Sequence, residues 1–137
     1  MRELPYRIFF QEVPQALRMS SNTLNVALRV GVPVFVHATR PEEGMYLDWQ
    51  ATRQKSGELV VTATNSGNTH VQVTGFELNF GAAKQGLPVS AIKYVLPGSS
   101  VSWTVMPPEG ADFSRLEVNG HSDHGDFAAE AAVVAPH

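Results

Sequence analysis

Hydrophobic and polar positions alternate most regularly between Leu24 and Val36, LNVALRVGVPVFV. The even positions, Leu24, Val26, Leu28, Val30, Val32, Val34 and Val36, are all apolar. The odd positions carry Asn25, Ala27, Arg29, Gly31, Pro33 and Phe35. Period two predicts a strand with one apolar face, here longer than an ordinary strand. Before it, Tyr6 to Val13 (YRIFFQEV) is aromatic and apolar, stops at Pro14, and predicts a second strand. Pro14 to Thr23 has no period of its own and reads as a connection.

The segment Ala38 to Gly44 (ATRPEEG) is charged and contains Pro41 and Gly44, the signature of a linker or elbow. Short strand patterns then recur between turn signals. They are Met45 to Arg53, Glu58 to Thr64, His70 to Asn79, Ala91 to Leu96, Ser100 to Val105, Arg115 to Val118 and Phe127 to Val134. Within His70 to Asn79, one face is predicted to hold Val71, Val73, Gly75 and Glu77. The run Ala128 to Ala132 has helical propensity, but Phe127, Val133 and Val134 flank it and predict a closing strand. This spacing predicts an all-β fold, an immunoglobulin-like β-sandwich over residues 45–137. Residues 38–44 would be the elbow. A two-stranded ribbon is marginal alone in water, so residues 1–37 would either extend that sandwich or be the last two strands of an incomplete first immunoglobulin-like domain, the reading that Pro41 and the charges around it favour.

Composition narrows the partners. The chain has 137 residues, 43% hydrophobic and 17% charged, which suits a packed rather than a disordered chain. A formal charge of -3 supplies no basic field, which argues against nucleic acid. No apolar run approaches membrane-spanning length, so no membrane insertion is expected. The absence of cysteine removes disulfides and thiolate metal sites without fixing a compartment. The opening MRELPYRIFF does not combine a basic region, an apolar stretch and a small-residue cleavage site.

Several stretches carry a family resemblance. They are Arg2-Glu3, the aromatic strand, Glu12-Val13-Pro14, the long alternating strand, Asn68-Thr69-His70-Val71-Gln72-Val73, and Tyr94 to Ser102. Together they resemble the periplasmic chaperones of the chaperone–usher pilus pathway. Those chaperones have two immunoglobulin-like domains set in an L. The resemblance covers nearly the whole chain but starts near the end of the first domain, which implies the later part of a longer protein or a truncated relative. It also implies a function. The strand Leu24–Val36 would complete the open sandwich of a pilus or fimbrial subunit, with Leu24, Val26, Leu28, Val30 and Val32 in the subunit's groove. An outer-membrane usher would receive the complex, and the compartment would be the periplasm.

The sequence also departs from the family. One of the two basic residues that hold a subunit's terminal carboxylate would fall at Pro33, which is uncharged. Arg7 and Arg29, opposite the apolar ridge of their strands, are the substitute candidates. Leu4 and Pro5 are atypical of the motif. Glu3 resembles one acid of an interdomain ion-pair triad, with His37 aligned to the basic member and Asp123 to the second acid.

Other chemistry is thinly signalled. His121, Asp123, His124 and Asp126 form a compact polar group, but Gly120 and Gly125 mark it as a turn, and no metal is expected there. Ser90, Ser99, Ser100 and Ser102 have no histidine at a recognisable motif spacing. No phosphate loop, dinucleotide fingerprint or paired catalytic carboxylate occurs, so binding rather than catalysis is expected, with no cofactor. Trp49 and Trp103 are expected in the core. The competing function is a structural sandwich module of a fibre or adhesin. Without a first domain, the strand pair is also expected to self-associate as a strand-paired or swapped dimer.

Overall fold

In the computed structural model, residues 2–13, 26–37, 45–82 and 86–135 are described. They form ten strands: β1 Leu4–Gln11, β2 Arg29–Val36, β3 Leu47–Arg53, β4 Leu59–Asn65, β5 Val71–Phe80, β6 Leu87–Val89, β7 Lys93–Val95, β8 Ser100–Val105, β9 Leu116–Ser122 and β10 Gly125–Val134. The chain divides into two compact units. Leu4–Val36 is one, and the residues up to Glu3 together with His37–His137 are the other. The expected elbow, residues 38–44, lies outside the described residues. Arg2, Glu3 and His37 group with the larger unit, although the alternation places them at the ends of the strand pair.

The smaller unit is an antiparallel ribbon of β1 and β2, with Leu4 opposite Val36 and Gln11 opposite Arg29. The larger unit is the expected immunoglobulin-like sandwich. One sheet joins β6 and β7 to β5, then β9 and β10. The other joins β3, β4 and β8. β10 belongs to both. Its first part pairs antiparallel with β9, and Ala132–Val134 then pair in parallel with Gln50–Thr52 of β3. Strands that switch sheets make the corners of such sandwiches. The run Ala128–Ala132 is strand, as its apolar flanks predict.

Alternation builds the core. In β4, Leu59, Val61 and Ala63 face inward while Val60, Thr62 and Thr64 face out. Trp49 of β3 stacks on Trp103 of β8 at 5.7 Å and on Phe127 at 5.6 Å, so both tryptophans are core residues. The indole of Trp103 donates to the Ala91 carbonyl at 3.0 Å.

The expected inward face of β5 needs correction. Val71 and Val73 are buried, but Glu77 is exposed, and Phe76, Leu78 and Phe80 turn inward instead. The cause is a bulge against β9 between Val73 and Gly75, where one extra residue flips the phase of a period-two pattern. Gly120 of β9 lies under this stretch. A side chain there would come within 2.5 Å of the Gly75 carbonyl and 2.6 Å of Phe76 Cβ.

Candidate functional site

The pairing register decides the chemistry of the ribbon. Residues directly opposite in an antiparallel pair share a face. Tyr6 meets Val34, Ile8 meets Val32 and Phe10 meets Val30, with Leu4 opposite Val36 at the base. One face is therefore wholly apolar. The other carries Pro5, Arg7, Phe9 and Gln11 against Phe35, Pro33, Gly31 and Arg29.

The predicted groove-filling residues lie on the apolar face or its extension. Val36 at the base is 50% exposed, and from Val32 onward exposure rises, from 38% there and 43% at Val30 to 59% at Leu28 and 69% at Val26. β1 ends at Gln11, so Val26 and Leu28 extend past most of its cover. Leu24 lies outside the described residues. Glu12 holds this extension in register. Its amide donates to the Leu28 carbonyl at 2.7 Å, and its carboxylate accepts from the Leu28 amide at 3.3 Å. The Glu12-Val13-Pro14 signal thus has a local physical role, a clasp on β2 one step beyond the end of β1.

Arg7 and Arg29 share the opposite face, where the sequence pattern puts them. The Arg29 guanidinium sits 4.4 Å from the centre of the Phe9 ring, a cation–π contact. Phe9 lies across Gly31, where a side chain would meet the ring at 3.0 Å and an Arg7 guanidinium nitrogen at 3.4 Å. The Phe9 ring and the Arg7 guanidinium thus both use the space that a side chain at position 31 would fill. Neither Arg7 nor Arg29 is ion-paired to a carboxylate among the described residues.

Glu3, His37 and Asp123 meet around a residue that the pattern did not single out, His70. Glu3 is 1% exposed. Its carboxylate accepts from the His70 amide and lies 2.8 and 2.9 Å from His70 Nδ1. On the far side of the ring, His70 Nε2 lies 3.4 Å from Asp123 Oδ2. His37 is peripheral, 3.8 Å from Glu3 with its side chain 77% exposed. The central imidazole of the constellation is thus His70 rather than His37.

The surroundings position that ring. Asn65, buried at the end of β4, donates to the carbonyls of Thr69 and Val95 at 2.7 and 3.0 Å. Its side-chain oxygen Oδ1 accepts from the Gly67 amide at 2.9 Å. Those bonds shape the 66–69 loop that delivers His70. Asp123 accepts from the Gln72 amide at 2.9 Å, and His124 Nε2 donates to the His70 carbonyl at 3.0 Å. At the chain's start, the Glu3 amide donates to the Asn68 carbonyl at 2.8 Å, and Arg2 donates to the Pro97 carbonyl at 3.2 Å. The Arg2-Glu3 pair is therefore fastened to the sandwich unit residue by residue.

The polar turn at 121–126 divides rather than converges. His121 pairs with Asp126 at 2.5 Å, while Asp123 and His124 face His70. Among the described residues, no three His, Asp or Glu side chains are placed to hold a metal ion.

The chain matches the crystal structure of the YadV chaperone with a TM-score of 0.64 over 94% of its length, at 18% sequence identity. It spans 62% of the length of that chain. At this identity the likeness is one of fold: the chain shares the all-β, immunoglobulin-like architecture of that chaperone structure. No family model matches the sequence, and no curated protein sequence matches it.

Proposed function

We propose that the chain serves as a periplasmic assembly chaperone, which caps pilus or fimbrial subunits by lending them β2 and its N-terminal extension, then passes them to an outer-membrane usher. The observation that carries this reading is the exposed ridge Val26, Leu28, Val30 and Val32, with exposure growing toward the end that β1 does not cover. Likeness to a chaperone fold supports it. In strand addition, backbone bonds supply the ladder and alternate side chains fill pockets. Each fully buried aliphatic group contributes about 1.5–3 kcal/mol before ordering costs.

The edge that β2 would offer has a built-in limit. The Glu12–Leu28 bond makes the even-numbered pairs the bonded ones and turns odd-numbered amides outward, because bonded and non-bonded pairs alternate. Pro33 stands at an outward position and has no N–H. A client ladder on this edge therefore ends at Val32. On the opposite face, Arg7 and Arg29 supply two cations suited to a client carboxylate, such as a chain terminus. The role is one of binding, without catalysis or cofactor.

The test is capture of purified pilus subunits by the chain and by Leu28→Glu, with Lys55→Glu in the exposed β3–β4 turn as control. Capture should fall at least tenfold for Leu28→Glu and stay near the parent level for the control. Undiminished capture by Leu28→Glu would overturn the donor-strand assignment.

A further inference from the structure

The sandwich unit carries a groove at the end where β5 stops and β9 starts. The β5–β6 and β8–β9 connections form its walls, and it offers about 730 Å³, a volume typical of ligand sites. Its floor is apolar, from Phe80, Leu87 and Ala111, with the exposed Pro88 and Pro108 at the rim. Glu109 and Asp112 line it as well.

These carboxylates are held in place. The Ala111 amide donates to the Pro108 carbonyl at 3.1 Å, and Gly110 has a φ of 73°, so Glu109 stands at the corner of a closed turn that needs glycine as its third residue. Asp112 accepts from the Ser114 amide at 2.9 Å. Its side chain lies over Gly81, where a Cβ would overlap the carboxylate, and Glu77 lies over Gly86 in the same way. Cations of neighbouring elements are engaged elsewhere. Arg53 stacks on the Phe113 ring at 4.1 Å, and Arg115 pairs with Glu117 at 2.7 Å. Among the described residues, none of Glu77, Glu109 and Asp112 forms an ion pair.

We propose that this groove docks a cationic, amphipathic peptide segment of a partner protein, with an apolar side chain against Phe80 and Leu87 and a neighbouring lysine or arginine at Glu109 and Asp112. Charge complementarity selects the cation, and the apolar floor provides for an anchor side chain. Exposed residues on both walls leave the groove open, which suits a chain that enters and leaves. Pro88 has no N–H to offer on the edge strand β6, so recognition rests on side chains rather than on an added strand. The site belongs to the sandwich unit and does not rest on strand lending by the ribbon.

The test is an NMR titration of the full ¹⁵N-labelled chain with the blocked peptide acetyl-Lys-Leu-Lys-Phe-Lys-amide. Amides of Leu87, Gly110, Ala111 and Asp112 should shift saturably, with a Kd of roughly 100 μM for so small a contact. Glu109→Gln and Asp112→Asn, which keeps an oxygen for the Ser114 amide, should each weaken binding about threefold and together about tenfold, the scale of exposed ion pairs. Ala111→Phe fills the groove, leaves the charges in place and should weaken binding at least tenfold. The same peptide with glutamine for each lysine should not bind, and phenethylammonium should bind at least tenfold more weakly than the peptide. Unmoved β4 and β9 amides show that each variant is folded, and the two charge variants decide the matter should Ala111→Phe unfold. Shifts confined to other faces, unchanged affinity in the double variant, equal binding of the glutamine peptide, or phenethylammonium as tight as the peptide would overturn the proposal. None of these results depends on subunit capture, so the two ideas fail separately.

Discussion

Replacing Glu3 by Gln probes the fastening of the chain's start with little change in volume. The carboxylate is 1% exposed, accepts from the His70 amide, and faces His70 Nδ1 at 2.8 Å. Gln supplies a single acceptor oxygen, and its amide group sets a donor against one of those two nitrogens. One buried bond is lost and the remaining one is no longer charge-assisted. Leaving a buried group unsatisfied costs about 1–3 kcal/mol, and hydrogen bonds to charged groups contribute about 1.5–3 kcal/mol. The expected loss is therefore about 2 kcal/mol. With a urea slope of about 1–3 kcal/mol per molar, the unfolding midpoint of the sandwich unit should fall by roughly 1 M. Asp123→Asn is the internal comparison. Asp123 is about a third exposed and stands farther from His70, at 3.4 Å, so its loss should stay within about 1 kcal/mol. A double-substitution cycle of Glu3→Gln with His70→Gln should show coupling of at least about 0.5 kcal/mol. A Glu3→Gln protein within about 0.5 kcal/mol of the parent, or a cycle with no coupling, would refute the account of this cluster.

Two further outcomes follow from geometry. Gly120→Ala should destabilise the sandwich by about 1–3 kcal/mol, the usual cost of overpacking, because the added methyl meets the Gly75 carbonyl and Phe76 Cβ; chemical denaturation reads this directly. Asp112 is held below the ordinary carboxylate range by the Ser114 hydroxyl and then by the Ser114 amide, which donates to it at 2.9 Å. A depressed folded value means that this contact stabilises above the unfolded pKa and is lost as pH falls through the folded one. A carboxyl-carbon NMR titration should show Asp112 of Ser114→Ala moving up toward the usual range.

Much of the fold was legible because period-two alternation survives into the structure. Leu59, Val61 and Ala63 point inward as written, and Trp49 and Trp103 meet in the core. The pattern misled where the backbone changes phase. The bulge before Gly75 exchanges Glu77 for Phe76 and Leu78 on the inner face, and a single extra residue leaves no trace in composition. β6 was not anticipated, because Leu87–Val89 is short and contains Pro88, a residue tolerated only at a sheet's edge. The ridge of β2 was readable because its chemistry is one-dimensional. The Glu3 cluster was half readable. Glu3 and Asp123 stood out, but their common partner His70 lies 67 positions from Glu3, and pairing at that separation is a product of the fold. Asn65, which shapes the loop carrying His70, was not singled out for the same reason.

The central claim, that β2 and its extension are lent to an incomplete sandwich, is tested most directly by amide hydrogen exchange of the chain with and without a purified pilus subunit. Exchange should slow by at least tenfold at the outward amides of Arg29 and Gly31 and across Val26 to Leu28, with no matching change in β4 or β9. A subunit that binds while exchange along Val26 to Val32 stays as in the free chain would contradict it.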